Sequence, residues 1–158
     1  MSNEKISNKS KVISVVSAAV IAVISLLVSV IVFNTKDFGI RRTFYFYSID
    51  KKDIATEMRF LSRNPQQGDV QFFVDELVLG PITNRFQRIF PAGTKVQFCT
   101  LQDDVLYVGL SEDALKGNSS MEDLSKSIDL FKVNIVKNFT KINTVMVYID
   151  GKSVWNDA

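Results

Sequence analysis

The segment Val12–Phe33, VISVVSAAVIAVISLLVSVIVF, constrains this chain most: it runs 22 residues without a charge, a proline or a glycine. At ~1.5 Å per residue it makes a helix about 33 Å long, enough to cross a hydrocarbon core about 30 Å thick. A cleaved signal peptide has an apolar stretch of about 7–15 residues that ends at a small-residue cleavage site. Here the run is longer and leads into IVFNTKDF, with no cysteine behind it to accept a lipid. The expectation is a retained transmembrane anchor at 12–33, with a tail at 1–11 before it and a polar tether at 34–41 after it. So short a tether keeps the domain at 42–158 close to the bilayer.

Cations flank the run on both sides, Lys5, Lys9 and Lys11 before it and Lys36, Arg41 and Arg42 after it, so the flanks alone do not set an orientation. The wider distribution of charge does discriminate. Of 19 basic and 17 acidic residues, three and one lie in the tail, which leaves sixteen of each beyond it and puts the whole net charge of +2 on the tail. This favours a cytoplasmic N-terminus and a domain outside the inner, or cytoplasmic, membrane. So small a net charge gives no case for nucleic acid as a partner. Histidine is absent and Cys99 is the one cysteine. The commonest general base and zinc ligand are therefore missing, and no internal disulfide can form. Cys99 lies in a strand-like run and reads as a buried, inert thiol.

The periodicity beyond the tether predicts β-β-α-β-β-α-β. RTFYFYSID (Arg42–Asp50) reads as a strand, and in IATEMRFLSR the residues Ile54, Thr56, Met58 and Phe60 alternate along one face of a second. Val70, Phe73, Val74, Leu77 and Val78 recur at helical spacing, with Asp69 as N-cap and Gly80–Pro81 as the stop. Thr94–Gln102 and Val105–Leu110 flank Asp103–Asp104 as a hairpin. Ser119 and Glu122 form a capping box for a helix reaching about Phe139, with Leu124, Ile128, Phe131, Ile135 and Phe139 on one face. Thr144–Asp150 is a strand, Asp150–Gly151 a turn, and SVW a short last strand. Two helices with apolar stripes need a common surface. A mixed sheet with both helices on one face provides it, so the class is an α+β two-layer sandwich behind a single N-terminal transmembrane helix.

No nucleophile, metal or phosphate-loop motif is present, and no catalytic, cofactor-binding or metal-ligating residue is assigned. Asp103 and Asp104 point outward from a turn, and Asp75 and Glu76 are helix neighbours that do not converge. The stretch LVLGPITNRFQRIFPAGTKV (Leu77–Val96) holds two of the three prolines and two of the seven glycines. Within it Arg85 and Arg88, three apart, offer either a basic contact patch or a solvated face. Phe86, Ile89 and Phe90 offer either a packed crossing or an exposed apolar patch. Arg85, Phe86 and Arg88 are the candidate interaction residues. NSS at 118–120 and NFT at 138–140 match the N-glycosylation pattern, which matters only in a eukaryotic secretory host.

Taken in order, Leu77, Gly80 and Pro81, then Pro91, Gly93 and Thr94, then Val105–Leu110 with Ser111, then Val147, Ile149, Asp150 and Gly151 resemble the GerMN domain across roughly Thr43 to Lys152. The resemblance implies an extracytoplasmic α+β domain related to the ring-building motifs of secretion and sporulation channels, with no catalytic residues to carry over. The family is known from sporulation and germination proteins and from lipoproteins and membrane-anchored proteins of the bacterial envelope, so the resemblance implies an envelope setting. The chain differs from better-known members in having one such domain and an anchor in place of a lipoprotein cysteine.

The resulting expectation is a non-enzymatic envelope protein. It would be held in the membrane by residues 12–33 and would assemble with envelope proteins or with itself as a homo-oligomer. The alternative is a module for peptidoglycan or another envelope polymer, using Tyr45, Tyr47, Tyr107, Tyr148 or Trp155 to stack on sugars.

Overall fold

A computed structural model describes residues 2–35, 39–116 and 121–154, and the chain divides into two compact units, 1–38 and 39–158. The first is a single helix, α1 (Ser2–Thr35). Its window Val15–Val32 has a mean hydropathy of 3.0 and is nowhere buried, as an uninterrupted apolar run long enough to cross a membrane requires.

The second unit runs β1 (Ile40–Ser48), β2 (Asp53–Leu61), α2 (Asp69–Leu79), β3 (Val96–Gln102), β4 (Val105–Leu110), a 3₁₀ turn (Glu112–Leu115), α3 (Met121–Asn138), β5 (Thr144–Ile149) and β6 (Lys152–Val154). The predicted order holds; Ser153 and Val154 of SVW fall in the short β6, and Trp155 lies outside the described residues. The single sheet does not hold. β1 and β2 form an antiparallel hairpin of their own, and β3-β4-β5-β6 form a separate mixed sheet in which β4 and β5 run parallel. That parallel pair needs a long crossover, and α3 supplies it.

The hairpin stays separate because the outer edge of β1 is already occupied, and not by a strand. Asn134 of α3 donates to the Tyr45 carbonyl (2.9 Å) and accepts from its N–H (2.7 Å). One turn on, Asn138 does the same for Thr43 (2.7 and 3.1 Å). Two carboxamides at i, i+4 thus imitate a neighbouring strand. Further along, the Gln87 N–H donates to the Tyr47 carbonyl and the Ile49 N–H to the Arg85 carbonyl. The same geometry accounts for NFT, since Asn138 is fully engaged with backbone. The NSS motif and Ser119 of the capping box lie outside the described residues.

The core lies between the helices, the inner face of the hairpin and the inner face of the four-stranded sheet. Phe44 stacks on Phe73 of α2 (4.6 Å), and Phe90 of the 80–95 crossing meets Phe131 of α3 edge-on (5.4 Å). Leu124, Ile128, Phe131 and Ile135 are buried as their spacing predicts, with Phe139 packed against them. Ile89 and Phe90 are buried as well, so the crossing is packed structure.

β2 is a strand as predicted, with Ile54, Thr56, Met58 and Phe60 on one face, but that face looks outward. Ile54, Met58 and Phe60 are 54%, 62% and 71% exposed, while Arg59 on the opposite face is only 6% exposed. Asp69 is not the N-cap of α2. Gly68 occupies that position with φ 86°, and Asp69 stands in the first turn, where its charge complements the helix dipole.

Gly80 ends α2 at φ 92° and ψ −171°, a conformation that favours glycine. A Cβ there would stand 2.9 Å from Arg88 Cγ. Gly80→Ala is therefore expected to cost about 1–3 kcal/mol, from backbone strain and the displaced Arg88. Thermal unfolding of the 39–158 unit measures it.

Candidate functional site

The residues that carry the family pattern turn out to build turns. The Pro91 carbonyl accepts from the Thr94 N–H (3.2 Å) and from Thr94 Oγ1 (2.8 Å), while Gly93 takes φ 96°. That is the positive φ a type II turn demands at its third residue. Asp150 and Gly151, at φ 51° and 73°, join Ile149 to Lys152 in a two-residue hairpin turn. Leu77 is buried, and Gly80–Pro81 closes α2.

The three candidate interaction residues do not converge. Arg85 pairs with Asp50 (3.0 Å) in the open. Phe86 packs on Phe46 (centroids 6.2 Å) and bridges to Ser48. Arg88 bends back to donate to the Leu79 carbonyl. Of the three, Arg88 lines an open groove of ≈ 930 Å³.

Three elements make that groove. The hairpin brings Tyr45, Tyr47 and Ile54, the crossing brings Ile89, Phe90 and Pro91, and the outward side of α3 brings Leu130 and Val133. Its rim carries both signs of charge, with Asp53, Asp123 and Asp129 against Arg88, Lys126 and Lys137. Lys137 Nζ stands 4.6 Å over the Tyr45 ring, which fixes that aromatic at the mouth. An apolar floor with a mixed charged rim suits a protein segment better than a small metabolite, which a more enclosed cavity would hold. Among the described residues, no group of three or more His, Cys, Asp or Glu side chains could hold a metal ion.

Sequence reasoning found the crossing side of this groove and missed the α3 side. On this helix the sequence pattern marks only the apolar stripe, and Asp123, Lys126, Asp129 and Lys137 lie off it. Only the tertiary placement of Asn134 and Asn138 against β1 turns that side of α3 into a wall.

A second feature lies behind the hairpin. Arg59 Nη2 stands 2.5 Å from Glu57 Oε1 and donates to the Gly80 carbonyl at 2.7 Å. Its Nη1 reaches Glu76 at 3.3 Å, and its guanidinium lies 4.4 Å over the Phe44 ring. Glu57 Oε1 also accepts from the Ile82 N–H (3.3 Å), while Oε2 is buried with no hydrogen-bond partner. This cluster ties β2 to the end of α2 and to the start of the crossing.

Burial, with Asp75 nearby, pushes the Cys99 thiol up to about 11, in line with the expected inert thiol. At pH 8 roughly one thiol in a thousand is then ionised, against about one in four for an ordinary cysteine near 8.5. Alkylation of the folded protein should be slower than that of free thiol by about two orders of magnitude, and should quicken about tenfold per pH unit up to ~10. Timed mass spectrometry checks this.

Comparison with known proteins now adds the family. The family profile described as "Germane: Sporulation and spore germination" matches residues 43–154. The first GerMN domain of the sporulation protein GerM from Bacillus subtilis is similar in structure, with TM-score 0.58 and 18% identity over 73% of this chain and 86% of that one. The tandem GerMN domains of the same protein give TM-score 0.56 and 19% identity, over 73% of this chain and 41% of the tandem. A putative lipoprotein from Clostridium perfringens aligns with TM-score 0.47 and 21% identity, over 76% of this chain and 82% of that one. No curated protein sequence matches. With the profile spanning most of the chain and the fold agreeing, this protein belongs to the Germane family and carries a GerMN-type domain.

Proposed function

We propose that this chain is a non-enzymatic envelope protein, held by α1 in the cytoplasmic membrane, whose GerMN-type domain acts outside the cytoplasm by binding other proteins. The groove between the hairpin, the crossing and α3 carries the reading, because its apolar floor and two-signed rim form a surface for a polypeptide. The family's sporulation and germination description agrees with an envelope role. The orientation rests on the excess positive charge of residues 1–11. A reporter fused after Ala158 that is active only inside the cytoplasm would overturn it.

The test of binding is lysine-directed crosslinking of the full-length protein in intact membranes. Peptides that join Lys126 or Lys137 to another protein are expected. Links confined to the same chain would count against the groove. Peptidoglycan binding is the alternative, and the aromatics favour it less. Tyr45 is covered by Lys137, and on the open face of the larger sheet Tyr148 is tilted 50° from Phe98, so the two form no flat platform for a sugar. Retention of the protein on purified sacculi at low salt would revive it.

A further inference from the structure

β2 combines an unpaired edge with an exposed apolar face. Its edge follows from the register. Tyr45, Thr43 and Tyr47 turn their backbone groups away from β2, toward Asn134, Asn138 and Gln87. In an antiparallel pair the residues opposite them do likewise. These are Thr56, Met58 and Ile54, and alternation adds Phe60. The Ile54 N–H is taken by Asp53 Oδ1 (2.7 Å). Among the described residues, no hydrogen bond takes the outward N–H and C=O groups of Thr56, Met58 and Phe60. The same residues, with Ile54, present the exposed side chains. An edge of this kind templates another strand. The other edge of this hairpin is closed by two buried carboxamides and a loop, so β2 alone is left open.

The charges on β2 select what pairs with it. We propose that two copies of this chain join antiparallel along β2, with Met58 opposite Met58 of the second copy on a two-fold axis. This register sets Thr56 against Phe60 of the second copy, and Glu57 against its Arg59, in both directions. The buried Oε2 of Glu57, unpartnered in the single copy, then faces a second guanidinium. Shifting the axis to Glu57 would set two glutamates opposite each other, which destabilises a strand pair. The outcome is a four-stranded sheet in place of an isolated two-stranded hairpin, with Met58 and Phe60 of both copies side by side on its outer face. The proposal rests on the protein-binding reading and names a surface that meets the groove at Ile54 but is centred on Met58, which lies outside it.

The test uses the full-length protein in its membrane, with Cys99→Ser as background and one added cysteine, oxidised and run without reductant. Met58→Cys places two thiols across the axis at a Cα separation of about 5.5 Å, within disulfide range. Ile54→Cys places them about eight residues, or roughly 27 Å, apart along the strands. Met58→Cys is expected to crosslink roughly tenfold more than Ile54→Cys. Adding Thr56→Pro, which removes one outward N–H, should abolish that difference. Adding Phe60→Lys, at a side chain already exposed, should do the same without touching the backbone.

Equal crosslinking from both cysteines would overturn the edge pairing. So would a Met58→Cys thiol that neither crosslinks nor reacts with a water-soluble maleimide, since the bilayer or another protein then covers the strand. If Lys126 and Lys137 still link to a partner in either case, the groove reading survives and only the edge is wrong. If the edge crosslinks while the groove captures nothing, the groove fails instead.

Discussion

Replacing Arg59 by alanine is expected to destabilise the 39–158 unit by about 3–5 kcal/mol, the usual cost of removing one partner of a buried ion pair. The side chain is almost wholly buried and holds Glu57, Glu76 and the Gly80 carbonyl together. Its loss leaves the Glu57 carboxylate buried beside Phe44 without a cation, and leaves the end of α2 without its donor. For a unit of this size the melting temperature should fall by on the order of 15 °C. The paired replacement Arg59→Met with Glu57→Leu removes both charges at similar volume and should recover much of the loss, because well-packed apolar groups substitute for buried pairs at little cost. If the double variant melts as low as the single one, the Gly80 and Phe44 contacts matter more than the charge pairing.

Asn134→Ala is expected to cost about 2–5 kcal/mol, since it strips partners from both the N–H and the C=O of Tyr45 at a site closed to water. Asn134 is fully buried and is bonded on both sides of its amide, so truncation also leaves a small cavity. Asn134→Asp is the sharper variant. It keeps the shape and the acceptor but loses the donor to the Tyr45 carbonyl, and it puts a charge where a neutral amide is fully buried. It should destabilise at least as much as alanine at neutral pH. Amide hydrogen exchange adds a local readout, because the Tyr45 N–H should lose protection in Asn134→Ala, which removes its acceptor, while the protons bonded between β4 and β5 change only with global stability. Unchanged protection at Tyr45 would show that the carboxamide does not close the β1 edge.

Much of the fold was legible in the sequence because its punctuation is chemical. Gly80–Pro81, Pro91–Gly93–Thr94 and Asp150–Gly151 are turn and cap residues, and each takes the conformation its composition dictates. The α3 stripe and the α2 spacing identified helices by period, and the aromatic run at Phe44 and Phe46 identified a strand. Two things were hidden. The division into two sheets depends on Asn134 and Asn138 reaching a strand 89 and 95 residues earlier in the chain, and no local pattern encodes such a contact. The inverted face of β2 was hidden for the opposite reason. Alternation shows that two faces differ, and ordinarily the apolar one is inside. Here Arg59 pairs with Glu57, and the two bond the backbone at Gly80 and Ile82, which lets charge go in and leaves Met58 and Phe60 out. The polar positions within otherwise apolar segments were the available signal in both cases.

The groove was legible on one side only. Phe90 and Pro91 stood out in the crossing, but the opposing wall comes from helix residues that look ordinary until α3 is docked on β1. Arg85 and Arg88, the natural candidates by charge, are held by Asp50 and by the Leu79 carbonyl.

The most direct test of the protein-binding reading is site-specific photocrosslinking from Val133, on the floor of the groove, in full-length protein in its native membrane. Thr100, on the open face of the larger sheet, is the matched control. Discrete protein adducts from Val133 that are absent from Thr100 and lost on adding Tyr47→Asp are the predicted result. No adduct from Val133, or the same adducts from both positions, would contradict it.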